Sequence, residues 1–383
     1  MQGLARTSTA GTAYSAGQVA TYLTAGNATE RWVFDRLNAQ GVYVSDLTPF
    51  VNFGKPPMIT HDTAAATHRT VRMEVRGDAT LNYLQDLIRI HYQLLAPDGG
   101  WLDFVLGTFV TIPAERAINQ AVTWGLLHLS DFSQLLTDSS FTNSFSVKAG
   151  TNYIVAINQV VQGYGGQTPI QVRMLDPGLT LPAAMVWEPG VTRLRAVTDL
   201  LAGINYNAPW FDELGILRSE AVPDYNAVAA AYTFDTTQGA SILKDTAQSK
   251  VDLARSFNQV SVLVEDPRRN RFYVTYSNTD PNSPVSLVNW HPKAKLIRDS
   301  RLVDVTRAQA RAKAEIQQAA RIYAPIIFRT LPWPASQNLD VYGVTYSTPE
   351  EGLTAYKYLE TRWTMTCATG ADTLHEVTRI VIA

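Results

Sequence analysis

Residues 71–112, VRMEVRGDATLNYLQDLIRIHYQLLAPDGGWLDFVLGTFVTI, decide the fold class. Val71, Met73 and Val75 alternate with Arg72, Glu74 and Arg76, the period of two that a half-buried strand needs because successive side chains point to opposite faces. Ile88, Ile90, Tyr92 and Leu94 repeat the alternation with Arg89, His91 and Gln93 opposite. Pro97-Asp98-Gly99-Gly100 supplies a turn. Trp101–Ile112 is then apolar on both faces, Phe104, Leu106 and Val110 against Val105 and Phe109. Such a strand is central in a barrel or covered by another subunit. Several strands at this short spacing predict a barrel rather than an open sheet.

Outward from this stretch, Trp32–Val44 reads as a hairpin turned at Asn38–Gly41. Residues 1–27 are rich in Ala, Thr, Gly and Ser, and read as a frayed terminus or as an arm ordered against a neighbouring subunit. Downstream, Thr151 is placed to cap a helix with Ile154, Ile157 and Val161 on one face, stopped by Gly163. A second helix from Pro189-Gly190 buries Leu194, Val197 and Leu201 and ends at Gly203, and Gln171–Leu175 reads as a short strand between them. Trp210-Phe211 and Ile216-Leu217 flank a turn, and residues 221–244 read as a linker. Phe257–Val264 and Phe272–Tyr276 predict a hairpin turned at residues 265–270. Asp304–Tyr323 is the clearest helix, with a capping box at Thr306…Gln309, Ala308, Ala312, Ile316 and Ala319 at helical spacing, and Pro325 ending it. Val341–Tyr346, Tyr358–Thr366 and Val377–Ile382 return to strand. Two β-rich units with an αβ unit between them is the coarse expectation, and no internal repeat shows in the letters.

Composition bounds the function. The chain has 383 residues, too many for one ordinary core, with 46 % hydrophobic and 17 % charged residues and a net charge of −2. Nothing there draws it to a phosphate backbone, because nucleic-acid binding needs a basic face. One cysteine excludes an internal disulfide, and neither a membrane span nor a secretion signal is visible, so a protein soluble in the cytoplasm is expected. Sparse charge fits burial in an assembly or a large core.

Catalytic constellations are missing. No zinc-protease helix, nucleophile elbow or phosphate loop is present, and Gly163, Gly165 and Gly166 follow a helix, where a dinucleotide loop follows a strand. His61-Asp62 and His68 are the nearest approach to a metal set and read as a solvated loop. His375-Glu376 lacks a further histidine, and Cys367 reads as a small core residue in a strand. Asp212 and Glu213 are adjacent in a tight turn and cannot flank one glycosidic bond. The eight tryptophans, Trp210, Trp333 and Trp363 among them, read as packing rather than as a sugar platform. No catalytic, cofactor or metal residue is therefore predicted.

Phrases spread along the chain resemble one family. They are WVFDRLNAQGVYVSDLTPFV, WLDFVLGTFVTIPAER, LSDFSQLLTDSSF, AGINYNAPWFDELGILRSE, WHPKAKLIRDSRLVD, LPWPASQNLDVYGVTYS and YLETRWTMTC, in that order. Together they resemble minor tail proteins of long, non-contractile-tailed phages of actinobacteria, where they belong to the baseplate or tail-tip hub. Such hubs are similar in organisation to those of contractile-tailed phages and to the base of the type VI secretion spike. The resemblance implies a mainly β chain with two antiparallel β-barrel domains, a smaller α/β domain and a helical insertion. The expected division is an arm at 1–27, a first barrel at 28–135, an α+β domain and linker at 136–245, and a second barrel at 246–383 with its insertion at about 303–330, interleaving left open. It further implies a homotrimer that joins the distal tail ring to the tip, beside the tape measure protein and downstream fibre proteins. Duplex DNA would pass through its channel without specific binding. The site would be the virion tail tip, assembled in the host cytoplasm, without enzyme activity, cofactor or membrane anchor. A receptor-binding tail protein for host glycans is the alternative.

Overall fold

The computed structural model describes residues 3–26, 28–77, 79–117, 124–225, 227–235, 244–249, 256–264, 271–281, 283–298, 305–322, 325–348 and 352–380. A short hairpin, β1 (Arg6–Thr7) and β2 (Ala13–Tyr14), precedes helix α1 (Ala16–Thr24). Seven strands follow: β3 (Glu30–Leu37), β4 (Tyr43–Asp46), β5 (Met58–Asp62), β6 (Arg69–Arg76), β7 (Leu87–Leu95), β8 (Trp101–Ala117) and β9 (Trp124–Ser130). An α/β unit comprises α2 (Ser133–Asp138), β10 (Phe145–Val147), α3 (Tyr153–Gln162), β11 (Met185–Trp187), α4 (Arg193–Gly203), β12 (Trp210–Phe211) and β13 (Leu217–Arg218). The remainder is β14 (Tyr232–Asp235), β15 (Lys244–Ser249), β16 (Gln259–Val264), β17 (Phe272–Ser277), β18 (Ala294–Arg298), α5 (Val305–Ile322), β19 (Pro325–Thr330), β20 (Val341–Thr348), β21 (Gly352–Thr366) and β22 (Thr373–Arg379).

The architecture is mainly β. Thirteen strands share one sheet in the order β15-β19-β22-β21-β5-β6-β9-β8-β7-β3-β4, with β20 and β14 attached beside β21. One order is built twice. The first half runs β5-β6-β9-β8-β7-β3 and the second β15-β19-β22-β21-β20-β14. Successive pairs are antiparallel in both halves except the last, which is antiparallel for β7–β3 and parallel for β20–β14. The two long strands match as well: β8 shifts register against β9 between Ile112 and Glu115, β21 against β22 between Glu360 and Arg362. The halves are joined where Arg362–Thr366 of β21 pair Met58–Asp62 of β5. Among the described residues no ladder closes either half into a barrel. The first half comes near, because the chain leaving β4 returns to β6 at the isolated bridge Val51–Val75.

The two-sided apolar strand is covered by its own chain over most of its length. Leu102, Phe104 and Leu106 enter the large core, and a register shift opposite Ile90/His91 then re-phases β8 so that Phe109 enters it too. Past the shift, Val110 packs with Phe132 and Leu136 of the α/β unit, and Thr108 Oγ1 donates to Glu213 O. The N-terminal segment likewise folds back onto its own chain instead of fraying. Thr9 N–H donates to Trp101 O and Arg6 Nε to Asp103 O, a Ser15/Gln18 capping box starts α1, and Leu4, Tyr14, Val19 and Leu23 bury in the large core.

The α/β unit holds a repeat that the letters hide. Residues 139–163 and 179–203 run through the same strand, turn and helix at constant spacing, although only Gly150/Gly190, Ala156/Ala196 and Gly163/Gly203 are identical. The copies pair about a local twofold: Phe145 faces Trp187 and Met185 faces Val147, while Gly150 N–H donates to Leu181 O and Gly190 N–H to Phe141 O. Both turn glycines sit at positive φ, 81° and 89°, which a side chain would strain. The α3 cap is Asn152, not Thr151, and Gln171–Leu175 contributes only the bridge Val172–Leu217.

Three further expectations are corrected. Residues 221–244 are more than a linker, since β14 pairs β20 and buries Phe234 against Phe328, Trp333 and Tyr342. β16 and β17 leave the large sheet and form, with β18, a separate three-stranded sheet on which α5 lays Ala308, Ala312 and Ile316. The helical segment stops before β19, so residues 325–330 are strand, and Thr306 lies inside α5 rather than capping it. Asp304, Tyr323, Ile382 and the turn at 265–270 lie outside the described residues. Ala312 is fully buried, so Ala312→Leu is expected to cost about 1–3 kcal/mol by overpacking. Arg311→Ala, which removes a half-exposed pair with Glu315 Oε1 at 2.7 Å, should cost about 0.5 kcal/mol or less. Equal losses in chemical denaturation would contradict this docking.

Candidate functional site

The junction of the two sheet halves gathers buried polar side chains. Trp363 faces His61 across the β21–β5 ladder, their rings stacked with centroids 5.7 Å apart. His68 meets His61 edge-on at 5.9 Å, and the Arg69 guanidinium lies 5.7 Å from the Trp363 ring while donating through Nη1 to Leu106 O. Asp131 accepts from the Arg69 backbone N–H at 2.8 Å and from Ser133. Burial, aided by the Arg69 charge, holds His61 well below the usual imidazole range and lowers His68 too. The solvated-loop reading of these histidines is thus corrected: residues 64–66 between them are exposed, but both rings are buried. No group of three metal-capable side chains occurs among the described residues.

A second buried pair lies across β21 and β22. His375 Nδ1 is 2.6 Å from Glu360 Oε1, and its Nε2 is 2.9 Å from Thr330 Oγ1, which donates to Leu331 O. Thr330 has its one proton committed, so Nε2 is the donor and a single proton is shared between Nδ1 and Glu360. Burial, with Asp340 behind it, pushes the Glu360 carboxyl well above the carboxylate range and pulls His375 down to about 3. Its partner is not the adjacent Glu376, which pairs with Arg362 at 3.4 Å.

His91 shows the opposite shift. It sits between Asp103, 3.0 Å from Nδ1, and Asp35, 3.4 Å from Nε2. Burial opposes its charge, but the two carboxylates outweigh burial and raise it to about 9. Its contribution is therefore complete below pH 6.5 and lost as pH rises through about 9. His91→Gln is expected to cost about 2 kcal/mol near neutrality. The gap from wild type in urea midpoints should close above that pH, and a gap independent of pH would refute the pairing.

Little here fits bond-making chemistry. Cys367 is fully buried and its thiol is pushed well above its ordinary range by that burial. Asp212 accepts from the Leu214 and Ile216 N–H groups and pairs with Arg218, while Glu213 accepts from Gln337. The Asp212 carboxylate is engaged in the turn, and that of Glu213 in a contact with the segment before β20. Trp333 and Trp363 are core residues, whereas Trp210 lines a cleft of about 770 Å³ with Arg173, Met174 and Leu175. No helix among the described residues is long and apolar enough to cross a membrane.

No protein-family model matches the chain, and no curated protein matches it at a significant level. Solved structures do. A tail protein from Neisseria meningitidis MC58 superimposes with a TM-score of 0.63 at 14 % identity, over 91 % of this chain and 96 % of that one. The prophage MuSo2 43 kDa tail protein from Shewanella oneidensis gives 0.62 at 11 %, over 91 % and 98 %. This chain has the fold of prophage tail proteins. The tail-protein fold also extends to a chain of the Francisella PdpA–VgrG complex, with a TM-score of 0.55 at 7 % identity, over 92 % of this chain and 58 % of that one. Sequence reasoning quoted phrases from several strands of the tail-protein fold. It missed Arg69, Asp131, Asp35, Asp103 and Glu360, whose partners are set by register.

Proposed function

We propose that this protein is the structural hub of a phage tail tip, in a long, non-contractile tail of the kind carried by actinobacteriophages. The observation that carries the reading is the end-to-end match to two tail proteins, 91 % of this chain on 96 % and 98 % of theirs. Three chains form a ring of six units, each half-sheet acting as one curved, barrel-like unit, and the Val51–Val75 return supports that curvature in the first half. The ring adapts a sixfold tail tube and distal tail ring to a threefold tip. Tape measure and fibre proteins adjoin it, and the hub itself has no enzyme activity. It works in the virion after assembly in the host cytoplasm.

A hub that passes genomic DNA needs a channel wide enough for a duplex, roughly 20 Å. A basic lining would hold the DNA through many phosphate contacts, so no basic belt is expected, in keeping with a net charge of −2. Cryo-electron microscopy of the tail tip tests both points. A monomer on the outer surface or an arginine-lined pore would overturn the reading. The Trp210 cleft favours a second reading, glycan receptor binding. A glycan-array signal abolished by Trp210→Ala would move the assignment there.

A further inference from the structure

The strand order is built twice, yet the junction that joins the halves is made only once. β21 pairs β20 through its first half and β5 through Arg362–Thr366 on the same side, with β22 on the other side. β8 is its counterpart. Residues 101–110 pair β7, and residues 110–117 pair β9 on the other side. On the β7 side, residues 111–117 have no strand partner among the described residues. β15 is the counterpart of β5, each being the antiparallel neighbour of the next strand in its half, β19 or β6. The second edge of β5 is taken by β21, whereas that of β15 has no strand partner among the described residues. An unpaired edge is a template for another strand. Among the described residues the chain thus presents both sides of a junction that it completes elsewhere, and does not pair them with each other.

We infer that residues 111–117 of one copy pair antiparallel with β15 of the next copy, repeating between chains the β21–β5 junction made within each. The occupant is a second copy because the matching edge belongs to this chain. The contact is head-to-tail, so each copy gives one edge and receives one, and the series forms a ring where the rotation from copy to copy closes. The number of copies in that ring rests on the hub reading. With the buried Val71 and Met73 of β6 aligned on the buried Ile326 and Phe328 of β19, carrying the Met365–Ile59 and Thr366–Met58 pairs through the shared ladders places Arg116 opposite Ser249 and Ala117 opposite Gln248. Pro113, which lacks an N–H, falls within the register shift between Ile112 and Glu115, where a missing ladder bond is tolerated.

Disulfide trapping in the full chain tests this, with native mass from light scattering as an independent readout. The lone native cysteine, Cys367, is buried and stays silent. Wild type is expected to form the ring. Ala117→Cys with Gln248→Cys in one chain should yield covalent dimers and closed trimers on oxidation. Each single-cysteine variant alone should yield no covalent species, and the two mixed in equal amounts should yield covalent dimers and nothing longer. A native ring with no cross-link, either here or for Arg116→Cys with Ser249→Cys, would overturn the strand assignment and leave the hub reading standing. Covalent dimers from Ala117→Cys alone would mean a like-to-like contact and overturn it as well. A wild-type chain that stays monomeric at every attainable concentration would remove the ring and this junction together.

Discussion

His375→Ala is expected to destabilise the fold by about 3–5 kcal/mol, because it empties a fully buried ring site and leaves the buried Glu360 carboxyl without its partner. Glu360 is 1 % exposed, its Oε1 is 2.6 Å from His375, and its Oε2 has no hydrogen-bond partner. Glu360→Gln should cost only about 1 kcal/mol, since the amide N–H₂ can still donate to Nδ1. The pair also fixes a pH signature. Folded, it holds one proton, with Glu360 raised well above 4.5 and His375 lowered from 6.5 to about 3. Unfolded, the same two groups hold one proton between pH 4.5 and 6.5, so stability is level there. Above pH 6.5 the unfolded histidine releases its proton and the folded pair does not, so stability falls as pH rises, by up to about 1.4 kcal/mol per unit. Below pH 4.5 the unfolded glutamate takes a second proton that the folded pair refuses until His375 titrates near 3, so stability falls again. His91 adds to the fall above pH 6.5, which makes the difference between wild type and Glu360→Gln the quantity to measure. Urea midpoints for the two proteins that stay parallel from about pH 5.5 to about pH 8 would rule out the shared proton.

Strand identity was legible because it is written locally. Val71, Met73 and Val75 alternate in the letters and are buried in the fold, as are Ile88, Ile90, Tyr92 and Leu94. The partners of those strands were not legible. Placing β21 between β22 and β5 depends on contacts across some 300 residues, and no local pattern records a pairing that distant. The repeat in the α/β unit escaped for a related reason. Its copies keep a buried position where they keep no letter, as with Val147 and Trp187, or Ile157 and Val197. The second face of β8 misled because a register shift moves an apolar residue across the strand while leaving the composition unchanged. Glu360 and His375 did carry a signal. Each stands two residues from a buried neighbour, Tyr358 and Val377, in a phase where an apolar residue is expected. A polar side chain in core phase asks for a partner, although only the register names it.

Trp363→Ala is expected to cost about 3–5 kcal/mol, a loss set by volume rather than by charge. The side chain is 2 % exposed and belongs to the short ladder that joins the halves of the large sheet. Its ring covers His61, whose two ring nitrogens have no hydrogen-bond partner, and lies beside the Arg69 guanidinium. Removing it leaves a cavity lined by groups that gain from water, so the site should hydrate rather than collapse. Trp363→Phe keeps the stacked face and should lose about 1–2 kcal/mol. The damage should also be local. β5 and β21 pair over only Met58–Asp62 and Arg362–Thr366, so amide exchange there should quicken well before exchange in β16, which is held by α5 in a separate core. Exchange that rises equally in β5 and β16 would mean that the tryptophan supports one cooperative core instead of a seam. A seam of five residue pairs with one large ring at its centre is the weak point at which the two halves of the large sheet would separate first.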